Sequence, residues 1–162
     1  MTKTVIFGNS GSGKSTLAST IAKQKLIAHL DLDTIAWEPS SPPVRRSIRD
    51  ARNQIGRFLK SNASWVVEGC YSDLLEIVLP EASNIIYLNL STDACIENAK
   101  SRPWEPHKYK SKEVQDANLN MLIDWIKEYP HRTDTFSRSE HERLFKLFDG
   151  PKVMYSSNEH IA

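Results

Sequence analysis

Residues 8 to 16 read GNSGSGKST: three glycines, a lysine and a run of hydroxyls packed into nine positions. That composition suits the binding of a large anion. Glycines let a chain curl so that successive backbone N–H groups point inward, and a helix starting just behind them adds partial positive charge. A lysine can then bridge two phosphates, and a hydroxyl beside it can ligate a divalent cation. Gly8, Gly13, Lys14 and Ser15 fit the pattern GxxxxGK[ST] at every required position. The stretch therefore predicts a nucleoside-triphosphate cradle built from Gly8, Ser10, Gly11, Ser12, Gly13, Lys14, Ser15 and Thr16. Lys14 would bridge the β- and γ-phosphates, and Ser15 would reach Mg²⁺.

Two sets of acids could complete such a site. Asp31 and Asp33 stand at or just past the end of the apolar run IAHLD, and Glu68 ends WVVE. Ligands of open parallel sheets bind at the carboxyl ends of strands. A carboxylate there can hold a Mg²⁺-bound water or take a proton from an acceptor hydroxyl. Asp33 is the expected site acid of the first pair, as catalytic group and toward the metal, while one of the two could instead cap the following turn. Glu68 is expected to face Mg²⁺ through water, with Gly69 allowing a ligand close to the backbone. Trp37 is a candidate for the acceptor pocket or for the core. Arginines neutralise the charge on a phosphoryl group in transfer. The candidates are Arg45, Arg46, Arg49, Arg52, Arg102, Arg132 and Arg138.

The elements that must hold these residues alternate. KTVIF (3–7), IAHLD (27–31), WVVE (65–68), NIIYLNL (84–90) and KVMYS (152–156) read as strands. Helices are expected from Lys14 onward, over 44–59, 73–79 (stopped by Pro80), 92–102 and 113–128. Ser139 and Glu142 suggest a capping box for a last helix that ends before Gly150-Pro151. Strand–helix alternation predicts an α/β fold, a parallel sheet with helices on both faces and right-handed crossovers. Residues 102–148 contain no strand and are long for one crossover, so an inserted lid is expected within a single domain spanning 1–162.

The 162 residues are 40 % hydrophobic and 25 % charged, with a net charge of +1. Such a composition suits one globular domain, and the near-neutral balance offers no broad field to attract nucleic acid. Cys70 and Cys95 form no CxxC pair and read as buried thiols of a reduced, cytoplasmic protein. The short apolar N-terminal run does not read as a signal peptide, and nothing long enough for a membrane span follows. His107, His131 and His141 make no metal spacing with either cysteine. The DxxG and NKxD patterns of switch GTPases are absent from the sequence.

Taken together, GNSGSGKST, HLDLDTIAWEP, WVVEGCYSD and NIIYLNL with its following helix resemble the adenylate kinase–shikimate kinase superfamily. They are most similar to the bacterial adenylate kinase-related group labelled FlaR, a DNA topology modulation protein. The resemblance covers most of the first 102 residues and implies a sheet in the order 2-3-1-4-5 with a helical lid before the last strand. It implies ATP and Mg²⁺ as cofactors and transfer of the γ-phosphate to a small-molecule acceptor. It also implies Asp33 as the acid beside the acceptor, Arg102 stacked on the base, and Arg132 and Arg138 on the phosphates. A nucleotide-binding regulator of DNA topology and a simple NTPase are the competing expectations.

Overall fold

A computed structural model describes residues 1–158. Five strands, β1 (Lys3–Gly8), β2 (Ala28–Asp31), β3 (Trp65–Gly69), β4 (Asn84–Leu88) and β5 (Lys152–Tyr155), form one sheet in the order β2-β3-β1-β4-β5. Every pairing is parallel. The helices are α1 (Lys14–Lys25), α2 (Asp33–Ala36), α3 (Ile48–Ser61), α4 (Ser72–Val78), α5 (Thr92–Lys100), α6 (Lys112–Ala117), α7 (Leu119–Lys127) and α8 (Arg138–Leu147). None of them is long and apolar enough to cross a membrane.

Side chains alternate across a strand, so each β-branched run feeds two cores. Val5, Phe7, Val67, Ile85 and Tyr87 point to one face, where Ile55 of α3, Leu74 and Leu75 of α4 and Leu144 of α8 cover them. Ile6, Val66, Ile86 and Leu88 point to the other, under Leu17 of α1, Cys95 and Ile96 of α5 and Ile126 of α7. The central strands are buried on both faces, as parallel sheets require.

This division changes the reading of residues 102–148. α7 and α8 are structural layers, one on each face, because Ile126, His141 and Leu144 are buried. Arg102, Pro103, Glu105 and Lys108, before α7, stand at the carboxyl ends of the strands. Helix boundaries also shift. The predicted helix over 113–128 is two helices meeting at Asn118. α3 begins at Ile48 instead of Val44, because Val44 and Arg45 are extended against Glu38 and Trp37. The N-cap is Ser137, whose Oγ accepts from the Glu140 N–H, and not Ser139, and no reciprocal capping box forms because the Ser137 N–H donates to the Asp134 carbonyl. Glu142 instead receives Arg138. Pro80 lies inside a 3₁₀ turn over 79–81 that continues α4.

Candidate functional site

β1 delivers the glycine loop and α1 receives it, with Gly13 in the left-handed region (φ 92°) as the N-cap of α1. Gly11 is also left-handed (φ 78°), and a Cβ there would stand 2.4 Å from the Cys95 carbonyl oxygen. No other residue type fits that position. The loop lines a cavity of about 730 Å³ at the carboxyl ends of β1, β2 and β3. Ser10, Gly11, Gly13, Lys14, Ser15 and Thr16 form one wall, joined by Glu68 beside Ser15; Asp33, Arg102 and Lys108 are among the other lining residues. Gly8 and Ser12 do not line the cavity. Gly8 pairs with Leu88 in the sheet, and the Ser12 N–H turns back to the Asn9 carbonyl. Lys14 is drawn the same way, its Nζ donating to the Asn9 carbonyl at 2.8 Å.

Two groups meet on the Glu68 carboxylate. The Ser15 hydroxyl donates to Oε2 at 2.7 Å, and His29 Nε2 stands 3.1 Å from the same oxygen. β2 presents His29 and Asp31 with a period of two, and Asp31 is in register with Glu68. The carboxylate is 2 % exposed, so these partners hold its orientation. Gly69 has a structural use: a Cβ there would stand 2.8 Å from Leu32 Cβ. The hard oxygens of Ser15 and Glu68 suit Mg²⁺, which keeps several waters and shares substrate phosphates instead of sitting in an all-protein cage. Among the described residues, no group of three or more His, Cys, Asp or Glu side chains converges as such a cage.

The aspartates divide their work. Asp31 Oδ1 accepts from the Asp33 N–H at 2.9 Å, the turn-capping alternative of the sequence. Burial, with Glu68 and Asp33 nearby, pushes the Asp31 carboxyl up to about 6. Asp33 lines the cavity. Its Oδ1 accepts the Tyr71 hydroxyl, and its Oδ2 stands 2.8 Å from Lys108 Nζ. Burial raises its pKa, but the Lys108 charge and the bonds from Lys108 and Tyr71 outweigh it, and the net shift is downward. Asp33 is thus held as a carboxylate. Burial, Cys70 and Asp33 raise Tyr71, so its hydroxyl stays protonated and donates.

Trp37 neither lines the cavity nor sits in the core. Its Nε1 donates to the Tyr71 hydroxyl at 3.1 Å, which leaves that hydroxyl free to donate onward to Asp33. Arg45 lies over the Tyr71 ring at 5.0 Å and grips both oxygens of Asp73, at 3.0 and 3.2 Å. Arg46 donates to the Ile35 and Trp37 carbonyls. Arg49 and Arg52 are exposed on α3. Of the arginines named from the sequence, only Arg102 lines the cavity. Arg132 stacks on Trp125 at 3.5 Å and donates to its carbonyl, while Arg138 pairs with Glu142. Both therefore lie apart from the glycine-loop cavity, contrary to expectation.

Lys108, His29 and Tyr71 were missed as site residues. Tyr71 stands in the quoted WVVEGCYSD and His29 in HLD, so strand-end position could have found them. Nothing local separates Lys108 from Lys110 in RPWEPHKYK. Lys108 also approaches Glu105 at 3.4 Å and Asp31 at 3.6 Å.

Behind this wall runs a buried chain. His141 Nε2 stands 2.8 Å from the Cys70 carbonyl, which can only accept, so Nε2 carries the proton. Nδ1 then accepts from Tyr129, 2.7 Å away, and Tyr129 accepts from Tyr87 at 2.8 Å. Burial lowers His141 to about 4, so the ring is neutral. α8 is thereby tied to the residue that precedes Tyr71.

No protein-family model matches the sequence, and no curated protein matches it. Solved structures do. A deoxyadenosine kinase from M. mycoides with bound dATP is 17 % identical, with 95 % of this chain and 90 % of that chain covered and a TM-score of 0.48. A sugar kinase from Janibacter sp. HTCC2649 is 11 % identical, with 96 % and 86 % covered and a TM-score of 0.51. A shikimate kinase from Bacteroides thetaiotaomicron is 16 % identical, with 90 % and 97 % covered and a TM-score of 0.45. At these identities the likeness is one of fold alone, a five-stranded parallel α/β architecture.

Proposed function

We propose that the protein is an ATP- and Mg²⁺-dependent phosphotransferase that moves the γ-phosphate to the hydroxyl of a small, uncharged acceptor. One observation carries this reading: a single cavity holds the glycine loop with Lys14 and Ser15 on one wall and the carboxylate Asp33 on the other. Its volume of about 730 Å³ is within the range of small-molecule sites, roughly 300–1,000 Å³.

Lys14 exchanges the Asn9 carbonyl for phosphate oxygens. Ser15 and Glu68 are the residues that would hold Mg²⁺, and Arg102 would contact the nucleotide at the cavity's edge. Bound Mg²⁺ supplies charge neutralisation on the phosphate oxygens. Asp33, a carboxylate oriented by Tyr71, accepts the proton of the acceptor hydroxyl as that oxygen attacks. Holding donor and acceptor in line removes most of the entropy cost of a bimolecular step.

The arginines support an uncharged acceptor. Arg45 is committed to Asp73 and Arg46 to backbone carbonyls. A second phosphate or a carboxylate would need bidentate arginines, and Asp33 and Glu105 present negative charge instead. ADP release measured with ATP, Mg²⁺ and a panel of nucleosides and polyols should exceed the rate with water alone. Nucleoside monophosphates and hydroxy acids should stimulate it least. A rate indifferent to every acceptor would mark a simple NTPase, and stimulation by monophosphates alone would reject the acceptor class.

A further inference from the structure

We propose that Lys108 is the γ-phosphate cation of the inserted segment, an ammonium that keeps one contact with Asp33 while turning another toward the terminal phosphate. This assignment rests on the proposed function and adds a residue that the motif does not contain. Among the described residues after α5, only Arg102 and Lys108 bring positive charge to the cavity wall. Arg102 Nη1 faces Glu105 at 3.2 Å. Lys108 Nζ faces three carboxylates, Asp33 at 2.8 Å, Glu105 at 3.4 Å and Asp31 at 3.6 Å.

The segment that delivers it is built. The Lys108 and Tyr109 N–H groups both donate to the Glu105 carbonyl at 3.0 Å. Trp104 Nε1 donates to the Tyr109 carbonyl at 3.0 Å. Gln115 of α6 clamps both sides of Trp104, accepting from the Glu105 N–H and donating to the Pro103 carbonyl. The backbone around Lys108 is therefore fixed, and the mobile part is its four-carbon stem. An ammonium offers three donors, so it can serve a carboxylate and a phosphate together. Lys14 and Lys108 line the same cavity as Asp33. A terminal phosphate seated on Lys14 and facing Asp33 would come within reach of Lys108, whereas phosphates held by the loop's own N–H groups would not need it. Arg132 and Arg138, held elsewhere, are not needed for this contact.

The test compares the affinities of wild type, Lys108→Met and Lys108→Arg for ADP and for a non-hydrolysable ATP analogue, each with Mg²⁺. Lys108→Met should weaken the triphosphate about tenfold and ADP less than about twofold, since only the former has the contact. Phosphoryl transfer should fall roughly 10²-fold with KM for the acceptor little changed, and Lys108→Arg should recover most of both. The ADP affinity also reports whether the variant is folded. Equal losses for ATP analogue and ADP, or no loss for either, would overturn the assignment. A wild-type protein that binds neither nucleotide would overturn the proposed function and this assignment with it.

Discussion

The glycine loop and the inserted stretch over 103–118 face each other across one cavity, yet they hold their cations by different means. Lys14 is placed by covalent neighbourhood: β1 ends, three glycines curl, and α1 begins on the lysine itself. Lys108 is placed by a self-bonded turn that meets the sheet acids only through tertiary folding. The contrast teaches that a phosphate cradle of the proposed kind can be written in nine consecutive residues. The cation that answers it from the other wall needs the whole chain.

The predictions run from the loop wall outward. Lys14→Met and Asp33→Asn should each lower phosphoryl transfer roughly 10²- to 10⁴-fold while leaving the unfolding midpoint within a few degrees. Steady-state kinetics beside a thermal unfolding scan checks both. A small kinetic effect at Lys14 would dissolve the contrast, because the loop would then not be the working half.

His141→Leu should act on stability next most strongly. It strands the Cys70 carbonyl and the Tyr129 hydroxyl, each worth about 1–3 kcal/mol when buried and unpaired. It also has a pH signature. His141 falls from 6.5 to about 4 on folding, so the unfolded chain binds more protons between those values. The contribution is complete above 6.5 and is lost as pH drops toward 4, on the order of 3 kcal/mol. Urea unfolding from pH 7.5 to pH 4 should show this slope in wild type and lose it in the variant.

Asp31→Asn should stabilise. Asp31 rises from 3.8 to about 6 on folding, so its favourable contribution exists below 3.8 and disappears as pH climbs through 6. Ionised Asp31 then burdens the fold, and the amide oxygen can still accept from the Asp33 N–H. The variant should gain about 1–2 kcal/mol at pH 8 and almost nothing at pH 3.5. The smallest effect is expected at Arg138→Ala. Its exposed pair with Glu142 should be worth less than about 0.5 kcal/mol and change transfer less than about twofold. A tenfold kinetic loss there would shift the cationic wall from Lys108 toward α8.

The same contrast explains what could be read in the sequence. The five strands were legible as β-branched runs between helical stretches, and their order came from the resemblance to the adenylate kinase–shikimate kinase superfamily. Lys14, Ser15, Asp33 and Glu68 come from positions at strand ends and in a fixed motif, and all four line the cavity. Arginine chemistry gave seven candidates and the resemblance singled out Arg132 and Arg138, but these stack on Trp125 and pair with Glu142 instead. The helix break at Asn118 was hidden because the apolar spacing runs on through it. His141 carried no local sign of its task, since its partners lie 12 and 71 positions away.

The central claim is that a phosphoryl group leaves the loop for an acceptor hydroxyl facing Asp33. ³¹P NMR of the protein with ATP, Mg²⁺ and a mixture of nucleosides and polyols tests it directly. The account predicts a new phosphomonoester signal growing in step with ADP, absent with Asp33→Asn and Lys14→Met. Inorganic phosphate as the sole new signal, or an ATP spectrum that never changes, would contradict it.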